Sequence, residues 1–178
     1  ARCRRNDRTR QPRIRPVAQV YVSLGSNIER RRNIRHALEQ MTERYGPLER
    51  SDIYESEAVG FDSDPFYNLV VGFQTGESPH RIQETLHAIE SASGRLRSGE
   101  LTARTLDLDL LLYDDQVISE NGLALPRDDI RRYAFVLRPL AEIAGDVRHP
   151  VSGERFADMW AAFDADSQPM RRVDWPPA

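Results

Sequence analysis

From Ala18 onward the apolar residues Val20, Val22 and Leu24 alternate with Gln19, Tyr21 and Ser23, and this period of two predicts a half-buried β-strand. Gly25-Ser26-Asn27 then turns the chain, with Asn27 placed to cap a helix. The period becomes helical at Ile34, Ala37, Leu38, Met41 and Tyr45, and Gly46-Pro47 stops that helix. Residues 48–56 predict a second strand and residues 57–65 a loop. Residues 66–75 (FYNLVVGFQT) are rich in β-branched and aromatic side chains and predict a third strand. Ser78-Pro79 pairs a cap with proline at the first helical position, Ile82, Leu86 and Ile89 form one apolar stripe, and Gly94 closes the helix. A loop then leads into the strand TLDLDLLLY, residues 105–113.

The order strand, helix, strand, strand, helix, strand is that of a ferredoxin-like βαββαβ sandwich, an α+β fold with an antiparallel sheet. A short hairpin over residues 117–125, a helix starting near Val136 and an amphipathic segment around Phe156, Met159, Trp160 and Phe163 follow it. No internal repeat or linker interrupts the pattern. The expected organisation is a basic tail over 1–17, a single domain over 18–165 and a C-terminal tail over 166–178.

Composition narrows the chemistry. A chain of 178 residues, 39% apolar and 30% charged, suits one globular domain. No apolar run approaches the ~18–20 residues needed to span a bilayer. Cys3 is the only cysteine, which excludes a disulfide framework and a thiolate metal cage and suits a reducing cytoplasm. All 25 cationic residues are arginine. A Walker-type phosphate loop needs its lysine and a Schiff-base enzyme needs an amine, so both classes are excluded. Any polyphosphate bound here is neutralised by guanidinium groups and metal ions. Residues 1–15 hold seven arginines against Asp7, a net of +6 that leaves −9 on the remainder. Such an arm suits nucleic acid or acidic lipid, or is simply a solvated tail.

The strand at 105–113 carries the sharpest chemical signal. Leu106, Leu108 and Leu110 share one face, so Asp107 and Asp109 share the other. Their Cα atoms are roughly 6.5–7 Å apart at ~3.3 Å per strand residue. Aspartate is a poor strand former, and two on one face repel each other. A solvated edge strand tolerates that, and so does a bound cation. Hard carboxylate oxygens suit Mg²⁺, which shares itself with water and substrate phosphates. Arg95, Arg97 and Arg104 lie just upstream, and carboxylates flanked by guanidiniums suit phosphoryl transfer.

The segment GRLRSGELTARTLDLDLLLY (94–113) resembles the signature of the 6-hydroxymethyl-7,8-dihydropterin pyrophosphokinase family of folate synthesis. YVSLGSN at 21–27, SDIYES at 51–56, FYN at 66–68, Glu90 and FVLRPLAEI at 135–143 follow the family's order. The resemblance implies transfer of the β,γ-pyrophosphoryl group of ATP to the pterin hydroxymethyl oxygen, with release of AMP. It implies that Asp107 and Asp109 bind two Mg²⁺ ions and that Arg95 and Arg104 act with them as catalytic residues. It places Glu90, Arg97, Arg104, Leu110 and Arg127 at the nucleotide. Ser56, Val59, Phe66, Asn68 and Phe135 fall at the pterin, with the two phenylalanines stacking its ring and Asn68 bonding its edge. Flat rings favour aromatic faces, and an amide offers both a donor and an acceptor. A cytoplasmic monomer acting on small molecules, without nucleic acid or membrane, is expected.

The chain departs from the family pattern at several places. Pro126-Arg127 stands where proline-histidine is usual, followed by Asp128 in place of an aromatic or proline. Tyr133 replaces a common arginine, and the loop between Arg97 and Arg104 lacks tryptophan-glycine-proline and is one residue shorter. Ser56-Glu57-Ala58 replaces threonine-proline-proline, putting the Glu57 carboxylate near the expected ring site. These losses leave open a second reading, a pterin-binding paralogue with lost or altered nucleotide-dependent activity. A third reading, a nucleic-acid-binding domain using the basic arm, is opposed by the acidic body.

Overall fold

The structure, a computed structural model, describes residues 17–59, 64–94 and 106–175. Its elements in chain order are β1 (Ala18–Ser26), α1 (Arg30–Tyr45), β2 (Glu49–Arg50), β3 (Ile53–Ser56), β4 (Phe66–Thr75), α2 (Pro79–Gly94) and β5 (Asp107–Tyr113), then β6 (Ile118–Glu120), β7 (Leu123–Leu125), α3 (Asp129–Arg132), α4 (Ala134–Ala144), α5 (Phe156–Ala161) and β8 (Met170–Val173). The main sheet runs β5-β1-β4-β3-β8, with β2 also paired to β4, and its ladders are antiparallel. This is the expected ferredoxin-like α+β sheet. β6 and β7 form the expected hairpin.

Nine consecutive pairs, from Ala18↔Thr75 to Ser26↔Tyr67, join β1 to β4 at the centre. The alternation that predicts β1 sends Val20, Val22 and Leu24 into a core with Ile34, Leu38 and Met41 of α1 and Ile82 and Leu86 of α2. Leu108 and Leu110 join the same core. A second core covers the opposite face, where Tyr21, Val70, Leu111 and Leu112 pack against Ile130, Leu137, Leu140 and Phe156. The strand that the pattern reads as half-buried therefore has both faces occupied along part of its length. Leu112 changes sides, away from Leu108 and Leu110, because the β1–β5 register skips a residue between Tyr21↔Leu112 and Val22↔Leu110. Full burial of a leucine contributes roughly 1.5–3 kcal/mol, so two cores of this size dominate over any surface ion pair.

Local chemistry corrects three expectations. Asn27 does not cap α1. Glu29 occupies the cap position with a left-handed backbone (φ 42°, ψ 41°), while Ser26 Oγ and Asn33 Nδ2 both donate to the Ile28 carbonyl, at 3.1 and 2.7 Å. The strand expected over 48–56 is broken into β2 and β3. At the break Ser51 Oγ accepts the Val70 N–H at 3.0 Å, a role that belongs to a carbonyl in an unbroken ladder. The C-terminal segment read as a tail contributes β8, paired from Ile53↔Val173 to Ser56↔Met170. Elsewhere the signals hold. Ser78 Oγ accepts the Arg81 N–H at 3.4 Å at the start of α2, and Gly46 (φ 81°) ends α1 with its N–H on the Thr42 carbonyl at 2.9 Å. α4 begins at Ala134, two residues before the expected start near Val136, after the short α3.

α4 is fixed to the sheet by polar contacts as well as by leucines. Glu142 accepts the Asp52 N–H at 2.8 Å and the Tyr54 hydroxyl at 2.9 Å, and Arg138 Nε donates to the same hydroxyl at 3.3 Å. Among the described residues no helix is long and apolar enough to cross a membrane.

Candidate functional site

Residues opposite each other in an antiparallel ladder project to the same face. One row across the sheet reads Tyr54, Asn68, Gly25 and Asp107. The adjacent row on the same face reads Val70, Ser23 and Asp109, and Ser56 faces Phe66 on the other side. The aromatic, amide, hydroxyl and paired carboxylates picked from sequence thus occupy one face, at the end that the second core does not fill.

The row has a gap in its middle. A Cβ built on Gly25 would stand 3.3 Å from Asn68 Oδ1 and 3.9 Å from Phe66 Cδ1. Glycine in a strand interior marks a close approach, and here it lets the Asn68 amide oxygen come close to the β1 backbone beside Asp107. Asn68 is buried, and its Nδ2 donates to Ser56 Oγ at 3.0 Å. That bond fixes the amide with its oxygen on the Gly25 side. Sequence reasoning missed Gly25, although its place two residues after Ser23 puts it on this face.

On the carboxylate side, Glu90 of α2 accepts the Leu108 N–H at 2.7 Å, bonding the helix to β5 between the two aspartates. Burial, with the negative charges of Asp107 and Asp109, raises the Glu90 carboxyl above the usual carboxylate range against the opposing pull of the Leu108 N–H and His87. Arg127 lies across from it. Its Nη2 is 2.9 Å from Asp109 Oδ1 and 2.9 Å from Asp129 Oδ2, and its own N–H bonds the Leu111 carbonyl at 3.0 Å. Asp129 was not among the sequence-derived residues.

Phe135, on α4, is half-buried and stacked on Tyr133, with ring centroids 5.0 Å apart and 15° between planes. Tyr133, expected only as the loss of an arginine, therefore extends an aromatic surface. Arg30, also missed, lies over the Tyr67 ring at 4.0 Å and donates to the Pro65 carbonyl and Glu55 at 2.9 Å each, holding the backbone just before Phe66. Val59 is exposed beyond β3. The Leu110 side chain is buried in the first core, which leaves its main chain as the part that a nucleotide could reach. Arg95, Arg97 and Arg104 lie outside the described residues.

The donor set fits magnesium in kind. Asp107 and Asp109 place hard carboxylate oxygens on one half-buried face, the kind of donor that Mg²⁺ takes alongside water and phosphate oxygens. Among the described residues no group of three or more metal-ligating side chains gathers.

Residues 21–145 match the family model for 7,8-dihydro-6-hydroxymethylpterin-pyrophosphokinase. The chain is 38% identical over 152 residues to a 2-amino-4-hydroxy-6-hydroxymethyldihydropteridine pyrophosphokinase of Pseudomonas aeruginosa, covering 82% of this chain and 92% of that protein. It is 36% identical over 155 residues to the folic acid synthesis protein fol1 of Pneumocystis carinii, covering 85% of this chain but only 21% of that longer protein. Among solved structures, the Plasmodium falciparum HPPK-DHPS with pterin and p-hydroxybenzoate superposes with a TM-score of 0.67 at 14% identity, over 83% of this chain and 43% of that one, a likeness of fold.

Proposed function

The chain belongs to the 7,8-dihydro-6-hydroxymethylpterin-pyrophosphokinase family, and from that premise we propose how its own residues divide the work. It is a pyrophosphokinase, transferring pyrophosphate to the hydroxymethyl group of hydroxymethyldihydropterin in folate biosynthesis. The observation that supports the proposal is the row Asn68, Gly25, Asp107 on one sheet face, with the amide one strand away from Gly25 and the carboxylate one strand away on its other side.

In this proposal the pterin ring lies between Phe66 and Phe135, over the hydrogen of Gly25. Its polar edge meets Asn68 Oδ1, while Ser56 and Val59 border the ring. The hydroxymethyl oxygen then points along the row toward Asp107 and Asp109, where the triphosphate of ATP is held. The alcohol oxygen attacks the β-phosphorus, the bond from that phosphorus to the α,β-bridging oxygen breaks, and AMP leaves with the bonding pair while the hydroxyl proton passes to solvent. Asp107 and Asp109 would hold Mg²⁺, as two ions, which when bound neutralises phosphate oxygens. Arg95 and Arg104 are assigned to the charge of the transferring group, and Arg97 and Arg127 to the nucleotide. Glu90 acts at the nucleotide side by holding β5 and both aspartates in place. Such chemistry needs fixed charges and alignment more than covalent help, which suits a chain whose cations are all guanidinium. Action as a cytoplasmic monomer completes the proposal.

Incubation with MgATP and 6-hydroxymethyl-7,8-dihydropterin is expected to release AMP and not ADP. Asp107→Ala and Asp109→Ala are each expected to lower that rate on the order of 10²-fold or more, with the melting temperature kept, since removing one carboxylate relieves repulsion and opens no cavity. Near-normal rates in both variants would remove the metal assignment.

A further inference from the structure

Arg127 occupies an unusual position, because its guanidinium already neutralises a carboxylate assigned to the metal. Its Nη2 is 2.9 Å from Asp109 and 2.9 Å from Asp129, so one cationic nitrogen is shared between a strand carboxylate and a second one at the start of α3. The backbone of Arg127 is fixed, since its N–H bonds the Leu111 carbonyl on β5 at 3.0 Å and its carbonyl accepts the Ile130 N–H at 3.3 Å. The side chain, by contrast, is 39% exposed. Its Nε is buried without a hydrogen-bond partner, so the fork of donors is not fully used in this arrangement. All three side chains are about one-third exposed, at 39% for Arg127, 32% for Asp109 and 30% for Asp129, so water screens the pair and its rupture is not costly.

We propose that Arg127 gates the metal site: its guanidinium stands on Asp109 until a triphosphate arrives, and Asp129 receives it when the cation takes its place. The proposal rests on reading Asp107 and Asp109 as the metal ligands. A guanidinium and a divalent cation compete for the same carboxylate oxygen, and an arginine stays charged at any pH at which an enzyme works. Free Mg²⁺ must displace that charge with only Asp129, already its partner, left to hold it. Mg²⁺ arriving with a nucleotide brings phosphate oxygens that take up the freed guanidinium, bidentate and with Asp129 still beside it. Metal binding thus becomes conditional on nucleotide, and the two bind with positive coupling.

The test uses the full chain, titrated with Mn²⁺ alone and with Mn²⁺ in the presence of a nonhydrolysable ATP analogue, followed by electron paramagnetic resonance of the free ion. Arg127→Gln is expected to tighten binding of Mn²⁺ alone about tenfold while weakening it in the presence of the analogue, so that the coupling shrinks from both sides. Asp129→Asn, which leaves Asp109 as the guanidinium's only carboxylate in this trio, is expected to weaken Mn²⁺ alone severalfold. Arg127→Lys keeps a cation and is expected to restore weak binding of Mn²⁺ alone, which guards against an effect of mere repacking. Affinity for Mn²⁺ alone that stays within twofold of wild type in Arg127→Gln overturns the gate. Asp109→Asn separates the two ideas: loss of Mn²⁺ binding in both titrations upholds the ligand assignment whatever Arg127 does, while unchanged binding sinks that assignment and the gate with it.

Discussion

At Gly25 a hydrogen stands where any other residue would place a carbon 3.3 Å from Asn68 Oδ1. The backbone there does not demand glycine, since Gly25 is not among the positive-φ positions, so space is the remaining reason for it. Gly25→Ala is therefore expected to keep the fold, with a melting temperature within a few degrees of wild type, while the KM for the pterin rises about tenfold and kcat changes less. Steady-state kinetics with the pterin varied at saturating MgATP distinguishes the two parameters, and an unchanged KM would remove the pocket from this face. At this scale the same-face placement of Asp107 with Asp109, and of Phe66 with Asn68, was legible, because period two fixes which residues of one strand share a side. The Arg127–Asp109–Asp129 contact was not. Spacing along a strand says nothing about which loop residue returns to it, and an arginine side chain reaches too far for its partner to be read from sequence.

Among the elements, the turn between α4 and α5 carries a pH dependence of its own. His149 is buried there, and its Nδ1 accepts the N–H groups of Val151 and Ser152, both at 3.2 Å. Both bonds require an unprotonated Nδ1. Burial, with the nearby charge of Arg131, lowers the His149 pKa below the ordinary 6.5, against the opposing pull of Glu154 and Asp128. The unfolded chain therefore binds a proton near pH 6.5 that the folded chain refuses until the pH is lower, so the His149 contribution to stability is complete above that window and is lost as pH falls through it. Thermal melts at pH 7.5 and 5.5 are expected to show a drop that shrinks in His149→Asn, whose amide oxygen accepts in place of Nδ1 without titrating. An equal drop in both proteins would assign the dependence elsewhere. The helix and strand periods located most elements, while the break at Ser51 and the left-handed turn at Glu29 escaped notice because polar side chains beside them (Ser51 Oγ on the Val70 N–H, Ser26 Oγ and Asn33 Nδ2 on the Ile28 carbonyl) make bonds that hydrophobic spacing does not record.

Across the whole molecule, the segment after α5 holds together parts far apart in sequence. Gln168 accepts the Ala134 N–H at 2.9 Å and donates to the Arg132 carbonyl at 2.8 Å, so one side chain grips the backbone on either side of Tyr133, whose ring stacks on Phe135. Five residues on, Val173 is buried in the first core as β8 pairs with β3, the strand that supplies Ser56. The ion pairs of Arg171 with Glu55 and Arg172 with Asp52 accompany that pairing, but both arginines are largely exposed and such pairs contribute little. Burial of Val173 is the larger effect, at roughly 1.5–3 kcal/mol. Deleting residues from 167 onward is expected to lower stability by roughly 2–4 kcal/mol, seen as a fall in melting temperature of about 5–15 °C. Gln168→Ala divides the two roles. It leaves β8 in place, so it is expected to cost only about 1 kcal/mol, yet to raise the KM for the pterin severalfold by loosening the Tyr133–Phe135 stack. If the deletion and the point variant both keep a wild-type KM, the C-terminal segment stabilises the sheet without shaping the pocket, and the aromatic pair is held by α4 alone.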